Sequence, residues 1–214
     1  MSKSSNEVEW REARRRSARD AIVDAAWELV RDEGLAGLSL RDLAKQAGIT
    51  TPTIYAYFDS KNAIYDAMFG RAAAEFADRM TQPDDSEDPR TVLAGGVRRF
   101  VEFCTSDVAR YQLLFQRTIP GFEPTPESFA PAVRALDALR ERLALNGITD
   151  PRLVDMWTAL TTGLVHQQIS NDPGGDRWAR LIDDSVTMFL ACWRPDGPPA
   201  KRAKPAPTTK GPRS

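Results

Sequence analysis

The stretch between residues 38 and 61 combines small hydroxyl side chains, phenols and cations. Threonine hydroxyl groups exchange hydrogen bonds with base edges in the DNA major groove, while threonine methyl groups and a proline ring can contact a thymine methyl group. Tyrosine, lysine and arginine side chains reach further and suit phosphate oxygens, and arginine also fits a guanine edge. The sequence therefore predicts that double-stranded DNA is bound by these residues: Ser39, Arg41, Thr50, Thr51, Pro52, Thr53, Tyr55, Tyr57 and Lys61.

Two short helices are needed to position these side chains. Ser39 precedes an apolar stripe of helical spacing as a candidate N-cap, and Asp42 can complete a capping box. Gly48 stands where a left-handed residue ends a helix. Thr50 can cap a second helix, with Pro52 in the first turn, where no backbone N–H is required. The pattern predicts a helix-turn-helix motif.

The spacing of the second helix decides which side chains remain on its surface. Ile54 and Phe58 are four residues apart and should face inward. Taken singly, Tyr55 and Tyr57 could equally be half-buried packing residues, and Lys61 a solvated cation. Taken as one ordered string, the residues favour the DNA-binding interpretation.

Residues 34–69, GLAGLSLRDLAKQAGITTPTIYAYFDSKNAIYDAMF, resemble the helix-turn-helix signature of the TetR (tetracycline-repressor) family of bacterial transcription regulators. The resemblance implies a homodimer, a palindromic operator and a C-terminal domain that binds a small molecule. Pro52 stands where many members carry glycine, a departure that bears on base preference.

Composition restricts the class of protein. A chain of 214 residues with 42% hydrophobic and 28% charged residues is ordinary for a globular protein. No apolar run has the length of a membrane span, and no signal peptide is evident, so a cytoplasmic protein is expected. Cys104 and Cys192 are expected to be buried, reduced thiols. One histidine and two cysteines favour neither a metal site nor a cofactor, and His166 is interpreted as a hydrogen-bonded interface or core residue.

Positive charge is concentrated at the two ends of a chain whose net charge is −1. Five arginines are clustered between residues 11 and 19, ahead of the helix-turn-helix, and two of them, Arg14 and Arg16, are favoured as contacts to the DNA backbone or minor groove. A solvated helix end explains them equally well. Residues 195–214 are rich in proline, lysine and alanine and are predicted to be disordered.

The helical periodicities predict an all-α fold with a three-helix DNA-binding domain and a larger helical domain for ligand binding and dimerisation. The predicted boundaries are a flexible arm over 1–13, the helix-turn-helix domain over 14–62, the C-terminal domain over 63–194 and the basic tail over 195–214. A proline-rich segment from Arg117 to Pro131 is interpreted as a connection or a lid.

Aromatic residues of the C-terminal domain could line an apolar ligand cavity, with a threonine and a glutamine as polar anchors. Aromatic residues at helical spacing also occur in ordinary cores, and this alternative stays open. The favoured candidates are Phe103, Tyr111, Gln112, Phe115, Trp157 and Thr161, and Phe122 and Phe129 belong to the same aromatic set.

The helices predicted near 151–171 and 176–193 are expected to form a four-helix dimer interface, because the first of them has apolar residues on more than one face, among them Val154, Ala159 and Val165. Such a dimer would place its recognition helices about 34 Å apart. The favoured function is a ligand-responsive transcriptional regulator, a repressor released by a small-molecule effector, and no enzyme. The alternatives are an all-helical enzyme or carrier with a vestigial helix-turn-helix and an architectural DNA-binding protein.

Overall fold

The computed structural model describes residues 3–192, with side chains from Val8 onward. Every regular element in this range is helical, which confirms the predicted all-α fold. The elements are α1 (Lys3–Glu33), α2 (Leu40–Gln46), α3 (Thr51–Tyr55), α4 (Lys61–Met80), α5 (Pro89–Ser106), α6 (Val108–Phe115), α7 (Pro126–Leu145), α8 (Pro151–Asn171) and α9 (Ile182–Cys192), with 3-10 turns at Leu35–Gly37 and Ala179–Leu181. None of these helices is both long and apolar enough to cross a membrane.

Helices α1 to α3 pack around one apolar core together with the first half of α4. Its fully buried members include Ala26 of α1, Leu43 of α2, Ile54 of α3 and Met68 of α4. Because α4 belongs to this core and then continues into the larger helical body, it connects the two parts as one continuous helix.

The first helix starts earlier than predicted. Helix α1 begins at Lys3 rather than near Arg14, so residues 3–13 are helical. This segment lacks glycine and proline, which disfavour helices, and contains three glutamates, which favour them. The flexibility assigned to it stays a prediction. The predicted basic tail at 195–214 lies outside the described residues.

The C-terminal body consists of α5, α8 and α9 around a second core, with α4 and α7 packed along one side. Trp157 of α8, Leu143 of α7 and Val165 of α8 are almost completely buried there. The expectation that Val154 and Val165 lie on a second, outward face of α8 was wrong, since both are buried within the chain. Ala159 does lie on the outward face.

The last helix also begins later than predicted. Instead of starting at Asp176, the chain passes through a turn before α9 begins at Ile182. The side-chain oxygen of buried Gln168 accepts hydrogen bonds from the backbone N–H groups of Trp178 (2.9 Å) and Ala179 (3.1 Å), and Asp172 accepts from that of Arg177 (2.8 Å). These side chains satisfy backbone groups that would otherwise belong to a helical turn.

The two cysteines differ in their environments. Both are free thiols, as predicted; Cys104 is buried, whereas Cys192 is exposed, so the expectation of burial was wrong for Cys192. Burial raises the pKa of the Cys104 thiol well above its usual range. A neutral Cys104 therefore acts as a small apolar side chain in the core.

Candidate DNA-binding surface and ligand cavity

Helix α2 is stabilised at its start by Ser39. The Ser39 hydroxyl oxygen accepts a hydrogen bond from the backbone N–H of Asp42 (3.1 Å), which caps the helix. The same hydroxyl donates to the Asp42 carboxylate. Since both hydrogen-bonding functions of Ser39 are engaged locally, its first role is to hold α2 in place.

The turn between α2 and α3 depends on Gly48. This residue has a φ of 65°, a left-handed conformation that side chains with a Cβ rarely adopt. The turn is closed by hydrogen bonds from the N–H of Ile49 to the carbonyl of Ala44 (2.9 Å) and from the N–H of Gly48 to that of Lys45 (3.2 Å). This pairing is the glycine C-cap that the sequence predicted.

Helix α3 is capped by Thr50 and anchored by apolar residues. The Thr50 hydroxyl oxygen accepts from the N–H of Thr53 (3.3 Å) and lies 2.8 Å from the Thr53 hydroxyl oxygen. Ile54 and Phe58 are almost completely buried, so the inward direction predicted for both is confirmed. A short helix fixed in this way presents its opposite face to solvent.

The nine predicted DNA-binding residues lie on or next to α2 and α3 and at the start of α4. None of the nine is buried. Tyr55 is 52% exposed, and Pro52 and Arg41 are also exposed. Thr51, Thr53, Tyr57 and Lys61 are partly exposed, and the Lys61 ammonium lies 5.5 Å from the centroid of the Tyr65 ring. This surface combines hydroxyl groups, phenols and cations that can reach a nucleic acid.

Arg19, one of the arginines ahead of the motif, is engaged within the protein. Its guanidinium lies 4.2 Å from the centroid of the Phe58 ring and donates to the backbone carbonyl of Tyr57. This contact ties α1 to the end of α3. Arg14 lies 5.3 Å from the Trp10 ring on the exposed part of α1, and Arg16 is exposed.

A cavity of about 400 Å³ lies among α4, α5, α7 and α8. Its walls are mainly aromatic and aliphatic, and they include Phe69, Phe76, Phe100, Phe115, Phe129, Leu136, Leu139 and Trp157. A concave, apolar space of this size is typical of a small-molecule site.

The structure separates the six predicted ligand residues into two groups. Phe115, Trp157 and Thr161 line the cavity. Phe103, Tyr111 and Gln112 are absent from its lining, which corrects their predicted positions.

Packing explains why these three residues lie elsewhere. Phe103 is buried beneath the Arg110 guanidinium, 4.1 Å from its ring centroid. Tyr111 is buried in the core, where desolvation raises its pKa. On α6 the residues that reach the cavity are Leu114 and Phe115, so Gln112 points elsewhere on that helix.

Two of the three threonines in the cavity wall, Thr158 and Thr161, use their hydroxyl hydrogens within their own helix. The Thr158 hydroxyl donates to the carbonyl of Val154 (2.8 Å), and the Thr161 hydroxyl donates to that of Trp157 (3.0 Å). Both threonines therefore satisfy their donors within α8. They present mainly methyl groups and acceptor lone pairs to a ligand.

Helix α7 contributes more to the cavity than Phe129, its one residue in the predicted aromatic set. Ala132, Ala135, Leu136, Leu139 and Arg142 all lie on the cavity wall. Their spacing of three and four residues marked one face of a helix, but no local signal showed that this face borders an open space rather than a filled core.

A groove beside the cavity is bordered by the segment between α6 and α7. It shares Phe69, Leu114, Phe115 and Phe129 with the cavity, and Phe122 from the connecting segment lies 5.7 Å from the ring centroid of Tyr65. The segment predicted as a connection or a lid therefore borders the groove next to the cavity.

Asp66 of α4 forms hydrogen bonds with the C-terminal end of this segment and with the start of α7. Its carboxylate accepts hydrogen bonds from the backbone N–H of Thr125 (2.7 Å), from the Thr125 hydroxyl (3.0 Å) and from the Ser128 hydroxyl (2.8 Å). The negative charge of this carboxylate also interacts favourably with the dipole of α7, because it lies at the N-terminus of that helix. The connector helix α4 is thus joined directly to the start of α7.

Comparison with known proteins identifies the family. Residues 22–68 match the model described as "Bacterial regulatory proteins, tetR family". The HTH-type transcriptional regulator Rv1816 of Mycobacterium tuberculosis is 31% identical over 182 residues, which cover 78% of this chain and 76% of that protein. The tetracycline repressor protein class A from transposon 1721 of Escherichia coli is 34% identical over 177 residues, covering 80% and 76%.

The fold agrees with this relationship. A TetR-family transcriptional regulator from Streptomyces coelicolor has a similar structure, with a TM-score of 0.65, 21% identity and coverage of 82% of this chain and 80% of that one. With the helix-turn-helix geometry and two relatives matched over most of their length, the chain belongs to the TetR family of bacterial transcriptional regulators.

Proposed function

We propose that this TetR-family regulator binds a palindromic operator as a homodimer, represses transcription there, and leaves the DNA when a small molecule occupies the cavity. The observation that carries the proposal is the exposed face of α3, which is capped by Thr50 and anchored by buried Ile54 and Phe58. Repression is supported by the relative named as a tetracycline repressor.

The face of α3 suits the major groove. The side chains of Pro52 and Thr53 are small enough to let the helix approach base edges, and hydroxyl and methyl groups can discriminate among them. Tyr55, Tyr57 and Lys61 extend beyond the helix and can hold phosphates on either side. Base edges would give specificity, and phosphate contacts would give orientation and most of the salt dependence.

The outward face of α8 supports two-fold pairing. Met156 is 60% exposed, and Ala159 and Gly163 follow it along the same face. An exposed methionine beside two small residues favours close packing with another helix. On α9, Met188 is exposed as well, so α8 and α9 of two copies can form the four-helix interface. His166 is exposed on α8 rather than in the core, and we place it at this interface.

Helix α4 provides the mechanical link between ligand and DNA. It contributes Phe69, Phe76 and Met80 to the cavity wall, while its first half packs in the DNA-binding core. The Arg71 guanidinium also lies 2.6 Å from the Asp24 carboxylate of α1. An effector that favours one position of α4 would change the spacing of the two recognition helices and weaken operator binding.

A gel-shift titration tests the proposal with the DNA upstream of the protein's own gene, at several salt concentrations. Binding should exceed that to a scrambled duplex, and Lys61→Gln should lower the slope of log affinity against log salt by about one. Arg140→Gln is the matched control, because Arg140 is exposed on α7 and pairs with Asp137 of the same helix. Equal affinity for the operator and the scrambled duplex would refute the proposal and favour a vestigial helix-turn-helix.

A further inference from the structure

One end of the cavity differs from the rest in its charge. Arg142 of α7 belongs to the cavity wall and is only 9% exposed. Its Nε atom donates to Oδ2 of Asp84 (3.2 Å), while Oδ1 of Asp84 accepts from Nη2 of Arg99. We call these three residues the arginine cluster. Two guanidinium groups share one carboxylate, so the cluster carries a net charge of +1.

The arginine cluster also retains unused hydrogen-bond donors. Nη1 and Nη2 of Arg142 donate to the carbonyl groups of Ala138 (3.4 Å) and Gln82 (3.3 Å), which are long contacts. A guanidinium has five N–H groups, so two of those of Arg142 stay available. Nε of Arg99 is buried and has no partner among the described residues. A partly buried cluster of this kind is stabilised by an additional negative charge.

The local backbone is shaped to admit the Arg142 side chain. A Cβ added to Gly96 of α5 would lie 3.2 Å from Cδ of Arg142, closer than most such contacts. Glycine at position 96 thus leaves room for the arginine stem where α5 and α7 meet. Thr158 and Thr161 donate to their own helix, whereas Arg142 brings a charged hydrogen-bond donor to the cavity wall.

We propose that the effector is an amphipathic anion, whose apolar part fills the aromatic cavity and whose carboxylate, or comparable monoanionic group, binds Arg142. This inference rests on the proposed function of the cavity as the effector site. A charge-assisted, partly buried contact is stronger than a neutral hydrogen bond. A neutral molecule of the same shape should therefore bind more weakly, and a cation weaker still.

The experiment compares matched ligands on the full-length protein by isothermal titration calorimetry. The probes are octanoate, decanoate and dodecanoate, each paired with the primary alcohol of the same chain length. We expect the best carboxylate to bind at least tenfold more tightly than its alcohol, which corresponds to about 1.4 kcal/mol. Arg142→Gln should abolish this preference while leaving alcohol affinity within about twofold, and Arg140→Gln should bind all probes as the unchanged protein does.

A second variant separates charge from packing. Asp84→Asn removes the carboxylate of the arginine cluster and raises its net charge, so carboxylate binding should become tighter. Weaker carboxylate binding at an unchanged melting temperature would overturn the inference.

The comparison of carboxylates with alcohols can also overturn the proposal of an anionic effector. Equal affinity for acids and alcohols, a preference for the alcohols, or no binding of any probe would each do so. Binding of the alcohols alone would leave the cavity as an effector site, and the proposed function is tested separately by specific operator binding in the gel shift.

Discussion

Two threonines of the DNA-facing surface have different local environments. The Thr50 hydroxyl oxygen receives the N–H of Thr53 and caps α3, whereas the side chain of Thr53 lies one turn further on the partly exposed face. The sequence predicted DNA contact for both residues and a helix-capping role for Thr50 in addition. The hydrogen bonds assign Thr50 first to helix stability and leave Thr53 as the better candidate for contact with a base.

Substitution by alanine should separate the two roles. Thr50→Ala removes a helix cap and should lower the free energy of unfolding by about 1 kcal/mol. Thr53→Ala should leave stability almost unchanged but alter discrimination at one base pair by about 1–3 kcal/mol. Thermal unfolding and binding to a set of single-base operator variants measure the two effects. A loss of affinity that is equal for all sequences would exclude base recognition by Thr53.

Tyr65 links the DNA-binding core to the loop before α2. Its ring is 1% exposed, and its hydroxyl donates to the backbone carbonyl of Leu35. Desolvation raises the pKa of Tyr65 from 10.0 to about 12. The neutral phenol is therefore the form that the folded protein retains.

This raised pKa predicts alkaline destabilisation. The unfolded chain loses the Tyr65 proton near pH 10 and the folded protein near pH 12, so the stabilisation is complete below pH 10 and declines as pH rises toward 12. Within this window the free energy of unfolding falls by about 1.4 kcal/mol for each pH unit. Tyr65→Phe should flatten the decline in denaturant unfolding measured between pH 9 and 12, and should lower stability at pH 7 by roughly 1–3 kcal/mol because the Leu35 carbonyl loses its donor. An unchanged slope would contradict the assignment.

At the scale of helices, Asp66 joins α4 to the start of α7. Three hydrogen bonds from Thr125 and Ser128 converge on its carboxylate. Phe122 and Phe129, on either side of this junction, lie against the Phe69 ring of the same helix (6.4 Å and 6.1 Å between centroids). The segment that borders the groove next to the cavity is thus fixed to α4, the helix shared with the DNA-binding core.

Removing the Asp66 charge should loosen this junction. In Asp66→Asn, one carboxylate oxygen becomes an amide donor and at least one hydrogen bond is lost, so stability should fall by about 1–3 kcal/mol. Hydrogen exchange should accelerate in residues 116–130 more than elsewhere. Asp78→Asn, an exposed position on the same helix, is the control. A uniform acceleration across the chain would indicate general destabilisation instead of a local junction.

The sequence predicts α2 and α3 well because their limits depend on nearby residues. Ser39, Gly48 and Thr50 each act within four positions of themselves. The cavity depends on distant partners and is predicted only in part. Phe103 and Phe115 belong to similar apolar stripes, yet only Phe115 reaches the cavity, and Arg142 lies there through an ion pair 58 positions away in sequence. Periodicity identifies an inward face but not what that face meets.

At the scale of the whole molecule, the outer face of α8 is the surface that we propose for pairing of two copies. Met156→Glu would place charges against each other across a two-fold axis, and dimers should dissociate at least tenfold more readily. Leu145→Glu is the matched control, because Leu145 is 61% exposed at the end of α7, outside the proposed interface. Analytical ultracentrifugation measures both variants. If Met156→Glu stays dimeric, α8 is not the interface.

Gly163 sits in the middle of α8, and no atom lies within 4 Å of the place where its Cβ would be. A glycine inside a helix weakens that helix by about 1 kcal/mol relative to alanine. In an isolated copy, Gly163 therefore lowers the stability of α8. Contact of α8 with a second copy can stabilise this helix. Resistance to heat should then rise with protein concentration, as it does for chains whose folding is completed by association.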